Sequence, residues 1–160
     1  IACYYTGPKP AVHQWPNKIF YGSYVAPRRL DGIPKGKHYD LSVNHNPVVN
    51  NTAGSIVGYK YFNFDHTHGV DNLQLLMNVV PAGIDATIEI WVNSPYVSRG
   101  GVKIGSMSLT SAMKQIKTEL KADVSGLSKM RGKKALFFVM KSNTAERSLC
   151  EIHDFVFASK

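Results

Sequence analysis

The chain is 160 residues long, 44% hydrophobic and 19% charged, with a formal net charge of +8. That length suits one domain with a proper core, and the composition excludes a disordered, collagen-like or disulfide-scaffold chain. The longest apolar runs, such as 135–140, are far too short to span a bilayer, and the basic residues are spread along the chain without a basic helix, which argues against membrane and nucleic-acid partners.

Residues 1–17 are rich in Pro, Tyr and polar side chains and show no period; they read as a linker or irregular N-terminal extension ahead of a domain over 18–160. The chain has no initiator Met and no signal-peptide pattern, so its start is expected to be a processed or excised end. Cys3 and Cys150 lie near opposite termini. They pair if the protein is exported and are buried thiols if it is not. Residues 18–25 (Lys-Ile-Phe-Tyr-Gly-Ser-Tyr-Val) make a first strand, stopped by Ala26-Pro27. Residues 28–53 form a connection long enough to be functional or disordered; they carry His38, His45 and a formal glycosylation sequon at Asn50.

The stretch 56–65, Ile-Val-Gly-Tyr-Lys-Tyr-Phe-Asn-Phe-Asp, is dense in β-branched and aromatic residues and reads as a strand. Strict alternation puts Tyr59, Tyr61 and Asn63 on one face and Lys60, Phe62 and Phe64 on the other. Asp65-His66-Thr67-His68-Gly69 has an acid and two alternating imidazoles, but a short loop supplies too few ligands to hold a metal, and a hairpin or inter-sheet turn is the better reading. Two more strands follow over 71–81 and 83–93. In the second, Ile88, Ile90 and Val92 point to the core and Glu89, Trp91 and Asn93 to solvent. Trp91 between an acid and an amide suits stacking on a sugar ring, and equally suits packing under a neighbouring loop.

After a turn over 94–101, residues 102–109 alternate again. Residues 111–121 fit two periods: Met113, Ile116 and Leu120 a helical face, Ile116, Thr118, Leu120, Ala122 and Val124 a strand. Strands over 133–141, buried on both faces, and 149–157 close the chain. This succession of short strands, with no secure helix or repeat, argues for an all-β, jelly-roll β-sandwich of two antiparallel sheets. The acids Glu89, Asp123, Glu146, Glu151 and Asp154 form no recognisable glycosidase pair, so the chain is not expected to be an enzyme by itself.

Three motifs in order carry a family likeness. They are Gly58-Tyr-Lys-Tyr-Phe-Asn-Phe-Asp65, then Thr87-Ile-Glu-Ile-Trp-Val-Asn-Ser-Pro95 with the Ile104-Gly105 step, and finally Leu149-Cys-Glu-Ile-His-Asp-Phe-Val-Phe157. Over residues 54–157 the chain resembles the family 6 carbohydrate-binding modules, above all those attached to bacterial family 43 glycoside hydrolases. The resemblance implies a secreted, periplasmic or cell-surface bacterial module that binds polysaccharide or oligosaccharide beside a catalytic domain of the same parent chain, with xylan, arabinan or β-glucan as ligand. It also implies a structural calcium. It maps the first aromatic of a loop cleft to Tyr59 and the sugar-bonding amide position to Glu151, with Phe62 and Phe64 in the core.

The second aromatic platform of that cleft falls near Met113 or Ile116, neither of them aromatic, and the acidic first strand that helps hold calcium is replaced by Lys18-Ile-Phe-Tyr-Gly22. One expectation is therefore that the sugar site has moved to Trp91, Glu89 and Asn93. The alternative is a module that serves its parent enzyme structurally.

Overall fold

Period-two burial shapes the architecture of the computed structural model, which describes residues 19–21 and 47–159. The expected linker over 1–17, Cys3, His38 and His45 lie outside the described residues. The strands are β1 (Ile19–Tyr21), β2 (Ile56–Asn63), β3 (Leu73–Pro81), β4 (Ala86–Val92), β5 (Val102–Leu109), β6 (Thr118–Asp123), β7 (Lys133–Lys141) and β8 (Cys150–Ser159). One sheet runs β1-β2-β7-β4-β5 and the other β6-β3-β8. Pairing is antiparallel except at the rim, where β1 lies parallel to β2. The expected all-β jelly-roll sandwich is the fold observed, and no helix among the described residues is long and apolar enough to cross a membrane.

Between the sheets, alternate residues of each strand form one core. Leu73, Leu75, Met77 and Val79 of β3 meet Ile88, Ile90 and Val92 of β4 and Leu136, Phe138 and Met140 of β7. The central strand β7 is buried on its other face too, where Ala135, Phe137 and Val139 join Ile56 in a second cluster against which Trp91 and Tyr96 pack. The ambiguous stretch resolves as a loop followed by β6. Leu120, Ala122 and Val124 are buried at strand spacing, whereas Ile116, which a helical face would bury, is 60% exposed.

The opening strand departs from its expected alternation. Along β2 the ladder to β7 runs in step from Ile56↔Val139 to Tyr59↔Leu136, then resumes at Phe62↔Lys134, one residue out of phase. This bulge at Lys60 and Tyr61 switches the inward parity from odd to even positions. Val57 and Tyr59 face the core before it, Phe62 and Phe64 after it, and Tyr61 is turned to solvent. Past the strand, Asp65 sits in a short 3-10 turn (Phe64–His66), and its carboxylate accepts the Gly132 amide at 2.9 Å, tying two loops together.

The Ile104-Gly105 step has a steric reason. A Cβ on Gly105 would lie 2.6 Å from the Asp123 carbonyl oxygen, so the approach of β5 to the opposing sheet requires glycine there.

Candidate functional site

The residues expected to form the site are divided by the structure into four places. Tyr59 is in the core, not at a cleft: it is 4% exposed, with its ring edge-on to Phe138 at 5.8 Å and Phe155 at 5.0 Å. Burial pushes its hydroxyl pKa well above the ordinary tyrosine value. The strand phase before the bulge points it inward, which corrects its assignment to a sugar platform.

Glu151 belongs to the other sheet. It is the second residue of β8, opposite Val80, and its carboxylate lies 3.2 Å from His153 Nε2. With Tyr59 buried in the core, Glu151 has no platform beside it in the loop cleft to which the family likeness assigned them both. The position expected to hold a second platform is no better placed. Met113 packs partly against the core and Ile116 stands exposed without an aromatic face.

Glu89 and Trp91 do come together, on the outer face of the five-stranded sheet. They are two residues apart on β4 and share that face, so the Trp91 Nε1–H donates to Glu89 Oε2 at 3.0 Å, while Lys103 Nζ from β5 reaches Glu89 Oε1 at 3.3 Å. Burial alone would raise the Glu89 carboxyl, but the bonds from Trp91 and Lys103, with the charges of Lys103 and Lys141, hold it below the usual carboxylate range. Trp91 is half-buried on the Phe137 cluster, so its indole serves the sheet surface as well as facing outward.

Asn93 begins the loop that connects β4 to β5. Its backbone is left-handed (φ 76°), and its side-chain amide donates to the Gly100 carbonyl at 3.0 Å, closing the loop. Two grooves flank this loop. The first, of ≈ 350 Å³, lies between Tyr61 and Tyr96 and is floored by Ala135 and Phe137, with Asn93, Lys133 and Arg99 on its walls. The second, of ≈ 360 Å³, lies between Asn93, Val102, Met130 and Lys134. Tyr61 is 55% exposed, and the Lys60 ammonium sits 5.9 Å from its ring centroid. Tyr96 carries the Arg99 guanidinium over its face at 5.6 Å.

Of the expected residues only Asn93 lines these grooves. Tyr61 and Tyr96 were not singled out as site residues from sequence. The signal available for Tyr96 is an aromatic inside a Ser-Pro-Tyr turn, although part of its ring also packs on the Phe137 cluster.

Solved structures superpose on the chain, three of them as follows. One is a family 6 carbohydrate-binding module from Clostridium cellulolyticum in complex with xylose, at 22% identity and TM-score 0.56 over 74% of this chain and 82% of that one. Another is a β-1,3-glucan-binding family 6 module from Bacillus halodurans, at 20% identity and TM-score 0.54 over 71% and 76%. The fold is that of the family 6 carbohydrate-binding modules. The third is a family 43 arabinoxylan arabinofuranohydrolase from Bacillus subtilis in complex with cellotetraose, at 21% identity and TM-score 0.59; the match takes 74% of this chain and spans only 22% of that enzyme. No family model matches the sequence, and no curated protein matches it.

The calcium implied by the family likeness does not fit the described residues of this family 6 fold. Calcium takes about six to eight oxygen ligands, yet β1 is Ile-Phe-Tyr, without a carboxylate. Among the described residues no three His, Cys, Asp or Glu side chains lie together.

Proposed function

We propose that the chain is a non-catalytic carbohydrate-binding module of a secreted glycoside hydrolase, with a sugar site displaced from the family's usual cleft to the groove between Tyr61 and Tyr96. The observation that carries this reading is that the exposed Tyr61 and the half-buried Tyr96 both line a ≈ 350 Å³ groove that Asn93 also lines. Tyrosine faces stack on the C–H-rich side of a pyranose, and an amide bonds its hydroxyls. The ligand class is plant cell-wall polysaccharide: xylan, arabinan or β-glucan. A catalytic role is not part of the proposal, because a glycosidase needs two carboxyl groups flanking the bond and neither groove is lined by one.

Affinity electrophoresis through gels containing xylan, arabinan or β-glucan tests the reading. Retardation is expected with at least one of them, and Tyr61→Ala and Tyr96→Ala should each weaken it about fivefold to tenfold, the size of one lost stacking contact. A second reading is favoured by the exposed Ile116 in place of an aromatic platform: a module that has lost sugar binding and docks structurally beside a catalytic domain. Absence of retardation by every polysaccharide leaves that reading alone.

A further inference from the structure

We infer that the glycan held at this end of the sandwich is anionic, a polysaccharide bearing uronate carboxylates; the inference rests on the glycan-binding reading above. Six cationic side chains converge on the two grooves beside the Asn93 loop: Lys60, Arg99, Lys129, Arg131, Lys133 and Lys134. They come from three separated segments. Lys60 is in the β2 bulge and Arg99 in the β4–β5 loop, while the other four fall within one hexapeptide leading into β7. Strand alternation sends Lys133 to the first groove, and Lys134 lies on the rim that the grooves share.

No carboxylate lines either groove. Of the acids in the loops at this end, Asp65 takes the Gly132 amide and Asp123 takes the Ser125 amide at 2.8 Å, while Asp71 stands exposed in the turn before β3, outside the lining of both grooves. Elsewhere among the described residues three lysines are paired, although Lys114 and Lys141 are not. Lys103 is paired with Glu89, Lys117 with Asp154 and Lys121 with Glu119. Among the described residues, Arg99, Lys129, Arg131, Lys133 and Lys134 have no such ion pair.

Like charges gathered within about a Debye length (~10 Å at 0.1 M salt) repel one another and focus a positive potential into a low-dielectric cleft. A neutral sugar draws nothing from that field, whereas a uronate does, and guanidinium and ammonium groups at the rim match its carboxylate. The Tyr61 and Tyr96 rings that line the first groove beside the cations suit a sugar ring carrying the charge. Single-stranded nucleic acid would use similar elements, and the test below separates it. The glycan is favoured because the fold is one whose solved examples hold sugars.

The test compares the intact chain on polygalacturonan and on its fully methyl-esterified form, which share a backbone and differ in charge. Retention is expected on the free acid well above the ester, and raising the salt from ~0.1 M to ~1 M, which shortens the Debye length to ~3 Å, should abolish it. Lys133→Gln with Lys134→Gln should weaken binding roughly fivefold to twentyfold, the sum of two partly exposed charge contacts. The control pair Lys114→Gln with Arg147→Gln, exposed in loops at the opposite end, removes the same charge and should change it less than twofold. Arg99→Gln repeats the experiment from a loop if the strand variant does not fold.

Equal, salt-indifferent binding to acid and ester would overturn the inference and leave the glycan-binding reading standing. Equal weakening by the control pair reduces the effect to net charge and also overturns it, as does displacement of the glycan by oligothymidylate at lower concentration. No binding to either polymer removes this inference; loss of the wider reading additionally requires silence on the neutral polysaccharides.

Discussion

Replacing Tyr59 separates fold from function at the position where the family likeness places a sugar platform. Its ring is buried to 4% exposure and makes edge contacts with both Phe138 and Phe155. Removing a buried aromatic ring costs about 3–5 kcal/mol, part of it the cavity left behind, and two lost aromatic contacts of about 0.5–1.5 kcal/mol each place Tyr59→Ala in the upper half of that range. For a domain of this size 1 kcal/mol moves the melting temperature by about 2–4 °C, so Tyr59→Ala should melt roughly 8–20 °C below the parent. Tyr59→Phe keeps the ring and both contacts and should stay within about 1.5 kcal/mol of it. Thermal melts followed by circular dichroism measure both variants, and affinity electrophoresis measures glycan retention beside them. The reasoning fails if Tyr59→Ala melts like the parent while losing retention, because the ring would then be meeting ligand and not Phe138.

Three further outcomes follow from the same geometry. Asn51 is fully buried and its amide donates to the Val48 and Cys150 carbonyls at 2.8 and 3.0 Å. Asn51→Ala should therefore cost about 2–3 kcal/mol in urea unfolding. Asn51→Asp should cost more at neutral pH, since a carboxylate cannot donate to either oxygen, and a melt no lower than that of the Ala variant would contradict this. Burial first, and the Glu151 charge second, push the Cys150 thiol from 9.0 up to about 12. The folded state then holds a proton that the unfolded state releases, so this contribution is fully present below pH 9 and is lost as pH rises toward 12, at up to about 1.4 kcal/mol per pH unit. Cys150→Ala should flatten the stability profile between about pH 9 and 10, and an unchanged slope there refutes the assignment. Finally, a Cβ on Gly101 would stand 2.7 Å from the Tyr96 carbonyl oxygen. Gly101→Ala must therefore reshape the Asn93 loop, at a cost of about 1–3 kcal/mol. Glycan retention should fall with it, and retention at parental strength would show that the loop takes no part in binding.

Most of the sandwich was legible in the sequence because alternation is a local signal. The expected strands 102–109 and 133–141 match β5 and β7 residue for residue, and Ile88, Ile90 and Val92 all point inward as their period requires. Tyr59 was misplaced because a bulge has no composition of its own: two residues at Lys60 and Tyr61 shift the phase, and a period counted through them gives the wrong face. Glu151 was paired with Tyr59 by the family likeness, and linear order does not show that β8 joins the other sheet from β2. The basic rim could not be read at all from runs of charge. Lys60, Arg99 and the 129–134 segment are at least thirty residues apart from one another, and only the β2-β7-β4 pairing brings them to one end.

The one-residue bulge in β2 also makes the strand a two-register tape whose halves are coupled by count alone. Deleting either Lys60 or Tyr61 would restore strict alternation, and restored alternation is the harmful outcome. It would drive Phe62 and Phe64 outward or else pull the first half of β2 out of step with β7. An apparent irregularity is what lets a single strand line the interior with Tyr59, Phe62 and Phe64 and still hand one aromatic ring, Tyr61, to the outside. Length in this segment is therefore under tighter constraint than identity: exchanging its side chains is a local change, whereas adding or removing one residue inverts everything downstream.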